Sequence, residues 1–162
     1  MAKSKKYSKL LFTGFKEPSN LPGVLDPQAY FRGDMQIPGA GMNMGWQVFS
    51  KPIHLEKEAH IHDADEYLIF LGAELPDLFS SFDAEIDLWM GEEMEKCVIT
   101  KPTIVYVPKN FSHTPLNFRK LNKPVLFSAL LLAPRFTKKM GSRLWAYDGP
   151  NNPLPKNFFK SD

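Results

Sequence analysis

Cysteine is nearly absent from this chain, with Cys97 the single example among 162 residues. One thiol excludes an intramolecular disulfide, and with it a structural zinc site of the multi-thiolate finger type. Cys97 lies in the apolar run Cys97-Val98-Ile99, where a buried, inert thiol is expected. Long apolar runs are lacking as well. The basic N-terminus leads only into Leu10-Leu11-Phe12, far short of a signal-peptide core, and no stretch approaches the roughly 18 apolar residues of a bilayer span. A soluble, cytoplasmic protein without membrane association is the expectation. Charge of one sign is also scarce, since 20 Lys and Arg against 18 Asp and Glu leave a net charge of +2. That is too slight to imply a nucleic acid or another polyanion as partner. Lys3, Lys5, Lys6 and Lys9 make the nearest approach to a basic cluster, and they read as a solvated tail.

What the chain does contain is Phe and Pro, thirteen and fourteen of them. With few long helical patterns, this composition points to an all-β fold with many turns. A chain of this length is most simply one domain, able to bury roughly 68–70% of its unfolded surface. Residues 1–43 read as an N-terminal arm packed on a barrel core of residues 44–133, and residues 134–162 as a C-terminal extension. The arm carries turn signals at Glu17-Pro18-Ser19-Asn20, Leu21-Pro22-Gly23 and Asp26-Pro27, with an edge strand expected at Lys9–Phe15. The glycine-rich patch from Ile37 to Gly45 lacks the strand-before, helix-after context of a nucleotide loop and reads as a flexible turn.

From Trp46 the pattern becomes a series of short strands. They are expected at Trp46–Ser50, Ala59–Leu71, Ala84–Trp89, Lys96–Thr100, Thr103–Val107 and Pro124–Leu132. Gly72 ends the second, Met90-Gly91-Glu92-Glu93 makes a hairpin turn, and Pro108 stops the fifth. The nearly continuous apolar run in the last implies burial on both faces, which needs the arm or a second subunit as cover. Residues 73–83 are longer than a hairpin turn needs and carry Leu78, Phe79 and Phe82. They read either as a lid or binding loop, or as a packed surface loop. The tail from Tyr147 to Asp162, with Gly149-Pro150 and Pro153, reads as irregular.

One cluster carries chemistry. In His60-Ile61-His62-Asp63-Ala64-Asp65-Glu66, positions 60, 62 and 66 share strand parity, so their side chains point one way. The two histidines stand roughly 7 Å apart at their Cα atoms, suited to two neighbouring positions on one ion. Glu66 reaches the same point only if the chain bends within residues 63–65, a polar tripeptide suited to a turn. His113 must arrive from another strand, after Pro108 and Asn110, and Asn tolerates the left-handed backbone of a tight approach turn. Three imidazoles and a carboxylate form a metal-ligand set. Spacing alone leaves open the plainer reading of surface or core histidines. His54 lies too far along an extended chain to join them and reads as a strand-start residue.

These residues resemble the two cupin motifs. The first, G-x5-H-x-H-x3-4-E-x6-G, is matched by His60-x-His62-x3-Glu66-x5-Gly72. The second, G-x5-P-x-G-x2-H-x3-N, is matched by Pro108-x-Asn110-x2-His113-x3-Asn117. His54 and Pro102 stand where the motifs open with Gly, Asn110 replaces the turn Gly, and Gly72 comes one residue early. No ligand position is lost. The likeness spans residues 44–133, and Glu85–Pro115 also resembles bacterial single-domain cupins of unassigned activity. It implies a cupin-type antiparallel jelly-roll barrel with irregular N- and C-terminal arms, commonly a homodimer. It also implies one divalent transition metal ion inside the barrel, on His60, His62, Glu66 and His113.

Without a thiolate ligand copper(I) is disfavoured, while Fe, Mn, Ni, Zn and Cu as divalent ions remain open. In octahedral geometry such a set leaves two adjacent positions for a small-molecule ligand. The expectation is a metal-dependent enzyme, of oxygenase, isomerase or decarboxylase type, acting on a small oxygen-bearing metabolite. The alternatives are a non-catalytic metal-containing binding or sensing module, and a barrel that uses these residues without metal. No catalytic acid or base can be named: Tyr67 faces away from Glu66, and Tyr106 has ambiguous parity. Phe70, Phe82 and Trp89 read as core before pocket lining.

Overall fold

In a computed structural model, residues 6–147 are described. β-Branched and aromatic residues alternating with polar ones give twelve strands: β1 Lys16–Glu17, β2 Gln28–Arg32, β3 Asn43–Phe49, β4 Ile53–Glu56, β5 Glu66–Gly72, β6 Ala84–Met90, β7 Glu95–Ile99, β8 Thr103–Val107, β9 His113–Leu121, β10 Val125–Leu131, β11 Thr137–Met140 and β12 Arg143–Ala146. A six-stranded sheet in the order β1-β2-β3-β10-β5-β8 faces a four-stranded sheet in the order β4-β9-β6-β7. All pairings are antiparallel. β11 and β12 form a separate hairpin. The all-β jelly-roll reading holds.

Period two explains the core. In β3 and β5 every second residue is buried, and the inward set meets its counterpart from the facing sheet. Phe49 stacks on Phe118 with ring centroids 4.0 Å apart, and Phe70 and Phe127 close the aromatic cluster from the six-stranded side. Ile86, Leu88 and Leu116 fill the four-stranded side. This apolar mass occupies one end of the barrel and leaves the other end to polar residues. Among the described residues no helix is long and apolar enough to cross a membrane.

Several expectations are corrected. The run 59–71 is not one strand: only His60 and Ile61 make isolated bridges, residues 63 and 64 bend, and β5 starts at Glu66. Lys9–Phe15 is not a strand; Ser8–Leu10 is a 3-10 turn, and pairing in the arm begins at Lys16. The arm instead lays Phe12 against Phe31 and Phe15 against Trp46, on the outer face of β2 and β3. The last residues of the glycine-rich patch belong to β3, where a Cβ on Gly45 would lie 2.6 Å from the Tyr30 ring. Cys97 is half-buried on β7, not fully buried, because β7 is a sheet edge. The expected irregular tail lies outside the described residues beyond Tyr147.

Candidate metal centre

The polar end of the barrel is built where the two sheets are tied together. His60 and His113 exchange backbone hydrogen bonds of 3.0 Å in both directions, which sets the segment after β4 against the start of β9. Asn110 takes the left-handed backbone expected of it, at φ 61°, and its N–H donates to the His62 carbonyl at 2.8 Å. Asp65 anchors the bend, its Oδ1 accepting from the Lys109 N–H and its carbonyl from the Leu132 N–H. The bend turns Glu66 inward at the first position of β5, opposite Val107 and Leu131.

All four side chains are buried, His60 6%, His62 3%, Glu66 3% and His113 1% exposed. The ligand nitrogens of His60, His62 and His113 lie within 4.8 Å of one another. Glu66 Oε2 stands 3.0 Å from His113 Nε2 and 3.6 Å from His62 Nε2. The structure therefore brings the three histidines together and sets the carboxylate against two of them. His54 does not join. It is exposed on β4 opposite Asn117.

A surrounding set of hydrogen bonds fixes the rings. His62 Nδ1 lies 2.5 Å from the Thr137 carbonyl, and His113 Nδ1 3.3 Å from the Phe111 carbonyl. His60 Nδ1 meets Thr114 Oγ1 at 2.9 Å, while that hydroxyl donates to the Glu58 carbonyl at 2.6 Å. With its hydrogen so used, the hydroxyl accepts from His60. Each ring thus gives its Nδ1 hydrogen outward, and a neutral imidazole then turns a bare Nε2 lone pair inward. Outer partners of this kind orient metal-binding imidazoles.

Electrostatics agree. Burial holds the His60 pKa well below the ordinary imidazole value, helped by the charges of Lys138, His113 and His62. Burial likewise lowers His62, against an opposing pull from Glu66. Burial works to raise Glu66, but His113, His62 and Lys138 outweigh it and hold the carboxyl below its usual range. Oε2 is nevertheless buried without a hydrogen-bond donor aligned on it. Three ring nitrogens within 4.8 Å of one another, with a buried carboxylate oxygen 3.0 Å from one of them, are a donor set suited to a divalent cation.

Sequence reading passes over what surrounds this point. Lys138 on β11, 2% exposed, pairs with Glu56 on β4 at 2.6 Å. Phe136, just before β11, packs on His62 with ring centroids 5.3 Å apart, and Trp145 on β12 packs on Phe136. The segment read as an extension thus covers the centre. The available signal was Gly141-Ser142, a two-residue hairpin turn between short strands. Nothing marks a lysine between Thr137 and Lys139 as buried. Residues 73–83, one reading of which was a lid, leave the far end of β5, roughly 20 Å from Glu66 along the strand. They do not cover the centre.

No protein-family model and no curated protein matches this sequence. Solved structures do. An oxalate decarboxylase variant from Bacillus subtilis aligns over 77% of this chain and 30% of its own at 10% identity, TM-score 0.52. Lactobacillus farciminis oxalate decarboxylase in a formate complex aligns over 78% and 33% at 10% identity, TM-score 0.51. Peruvianin-I, a cysteine peptidase from Thevetia peruviana latex, aligns over 84% and 79% at 14% identity, TM-score 0.52. The fold is that of the cupins. The chain spans about a third of the length of the oxalate decarboxylases it matches, and at these identities the likeness concerns the cupin fold alone. Within that barrel, the His60-His62-His113 cluster is suited to a metal ion.

Proposed function

We propose that this chain is a cytoplasmic, metal-dependent cupin enzyme acting on a small oxygen-bearing metabolite, with reaction type among oxygenase, isomerase and decarboxylase. One divalent first-row ion is held by His60, His62, Glu66 and His113. The observation that carries the reading is that the ligand nitrogens of His60, His62 and His113 lie within 4.8 Å of one another, with Glu66 Oε2 3.0 Å from His113 Nε2 and 3.6 Å from His62 Nε2. A bound ion supplies Lewis acidity and a template for the ligand. Thr114, Thr137 and Phe111 hold the rings in the metal-ready tautomer, while Phe136 packs on His62 with Trp145 behind it.

A second reading, a metal-containing binding or sensing module without turnover, is favoured by the deep burial of all four side chains. The test is elemental analysis of protein purified without added metal, beside a His60→Ala/His62→Ala variant. Near-stoichiometric first-row metal in the parent and little in the variant is expected. A metal-free parent contradicts both readings. Turnover or dioxygen uptake on a panel of diketones, catechols and hydroxy acids then separates enzyme from sensor.

A further inference from the structure

His60, His62, Glu66 and His113 are all buried, so an ion or a small molecule reaches them only when something covering them moves. The two sheets are poorly suited to that movement, since β10 is paired along its whole length with β3 on one side and β5 on the other. The β11–β12 hairpin belongs to neither sheet. It meets the barrel in an isolated bridge, Ile61 with Lys139, made of two 3.0 Å backbone hydrogen bonds. Yet Thr137 at its start gives the carbonyl that fixes His62 Nδ1, and Phe136 just before it packs on the His62 ring.

The attachments of the hairpin divide into a pivot and a latch. At the base, Arg135 pairs with Asp34 at 2.6 Å, the Tyr147 N–H donates to the Phe136 carbonyl at 3.0 Å, and Arg32 lies 4.5 Å over the Tyr147 ring. Along the strands, side-chain contacts run to residues 56–63: Thr137 Oγ1 to Asp63 at 3.0 Å, Lys138 to Glu56 at 2.6 Å, and Arg143 to Glu58. Charged groups that part regain their water, so a polar latch opens at less cost than an apolar one. Of the strand residues of the hairpin only Lys138 and Met140 are buried, so an outward swing exposes little apolar surface. Few apolar contacts and a short backbone ladder are the marks of a segment that opens locally, without global unfolding. We propose that the β11–β12 hairpin is a lid, swinging on its base at Phe136 and Tyr147, whose opening uncovers His62 and admits metal and small-molecule ligand to the centre. Opening also withdraws the Thr137 carbonyl, so His62 loses cover and tautomer lock together. His60 and His113 keep their partners, Thr114 on β9 and Phe111 just before it. Entry is thus on the His62 side. This inference rests on the metal reading above and adds the route into that site.

Two variants test it, each compared with the parent carrying the metal it is purified with. Ile61→Cys/Lys139→Cys, in a Cys97→Ala background, sets thiols across a hydrogen-bonded antiparallel pair, about 5.5 Å apart at Cα and within disulfide reach. Lys139→Pro removes one of the two bonds to Ile61; both backbone groups of Lys139 face Ile61, so the ladder to β12 is left whole. Metal transfer to excess chelator is expected to slow at least about tenfold in the disulfide form and to recover on reduction, and to quicken several-fold in Lys139→Pro. Unchanged transfer in the disulfide form overturns the lid. Should the disulfide not form, Lys139→Pro transferring no faster than the parent overturns it equally. A parent without metal refutes the metal reading instead, and hydrogen exchange then decides the lid alone. The Ile61 and Lys139 amides are expected to exchange together, faster than those of β5 and β10, at a rate that mild urea leaves unchanged. Exchange as slow as in those strands overturns the lid.

Discussion

Thr114 shows how much of the centre depends on residues that touch no ligand position. Its hydroxyl links the His60 ring to the Glu58 carbonyl, and its backbone is left-handed at φ 70°. That conformation is costly for a β-branched residue, and surrounding structure must enforce it. Thr114→Val keeps the shape and removes the hydroxyl. A loss of 10–100-fold in metal affinity is expected, read by competition against a chelator, with little change in fold. Asp87 is the contrasting case of a buried acid remote from the centre. Burial works to raise its pKa, but hydrogen bonds from Lys96 at 2.9 Å and Arg119 at 3.1 Å bring it below the ordinary value. A depressed folded pKa contributes stability that is present above about pH 4 and lost as pH falls through the folded pKa. Asp87→Asn is expected to cost about 1–2 kcal/mol at pH 7, modest because both partners are half-exposed, with the gap to the parent closing below about pH 4. Urea unfolding across that range checks it. A gap that persists in acid contradicts the ion-pair account.

At the scale of elements, legibility followed local pattern. Thr103–Val107 is a strand at the expected bounds, and β6, β7 and β10 fall within a residue or two of theirs, because period two and apolar runs are local signals. β9 was not legible. Pro115 stands within it, and a proline in an interior strand argues against a strand at all. Register shifts between His54 and Glu56 and between Leu88 and Met90 flank that proline on both neighbouring strands. Bulges absorb the missing donor. The three histidines that the structure brings together, by contrast, stood out as residues, since parity and a polar bend need only a few neighbours. Lys138 and Glu56 did not, because only the docking of β11 across the barrel mouth brings them together. Gly72 tests the element at the opposite end. A Cβ there would lie 2.1 Å from Ser81 Oγ and 2.6 Å from the Leu78 carbonyl, so loop 73–83 packs against bare backbone. Gly72→Ala is expected to destabilise by about 1–3 kcal/mol in urea unfolding while leaving metal content unchanged. Loss of metal would show that the two ends are coupled.

For the whole molecule, the barrel divides its interior between an aromatic plug at one end and a cluster of buried polar side chains at the other. Its outer surface is less evenly finished. Edge strand β8 leaves Ile104 66% and Tyr106 50% exposed, beside a Tyr67 whose ring packs tilted on Tyr106. Open edges of this kind invite a strand from another chain. The homodimer expected from the sequence is proposed to form through this face. Light scattering on the parent should then give twice the chain mass, and Ile104→Lys/Tyr106→Lys the mass of one chain. A monomeric parent contradicts it.

The central claim is one metal ion on three imidazoles and a carboxylate, and X-ray absorption at the metal edge of protein purified without added metal tests it most directly. The account predicts a single first-row metal with imidazole scattering from three nitrogens at about 2.0–2.2 Å and an oxygen ligand beside them. Protein with no metal edge, or a metal whose shell lacks imidazole, would contradict it.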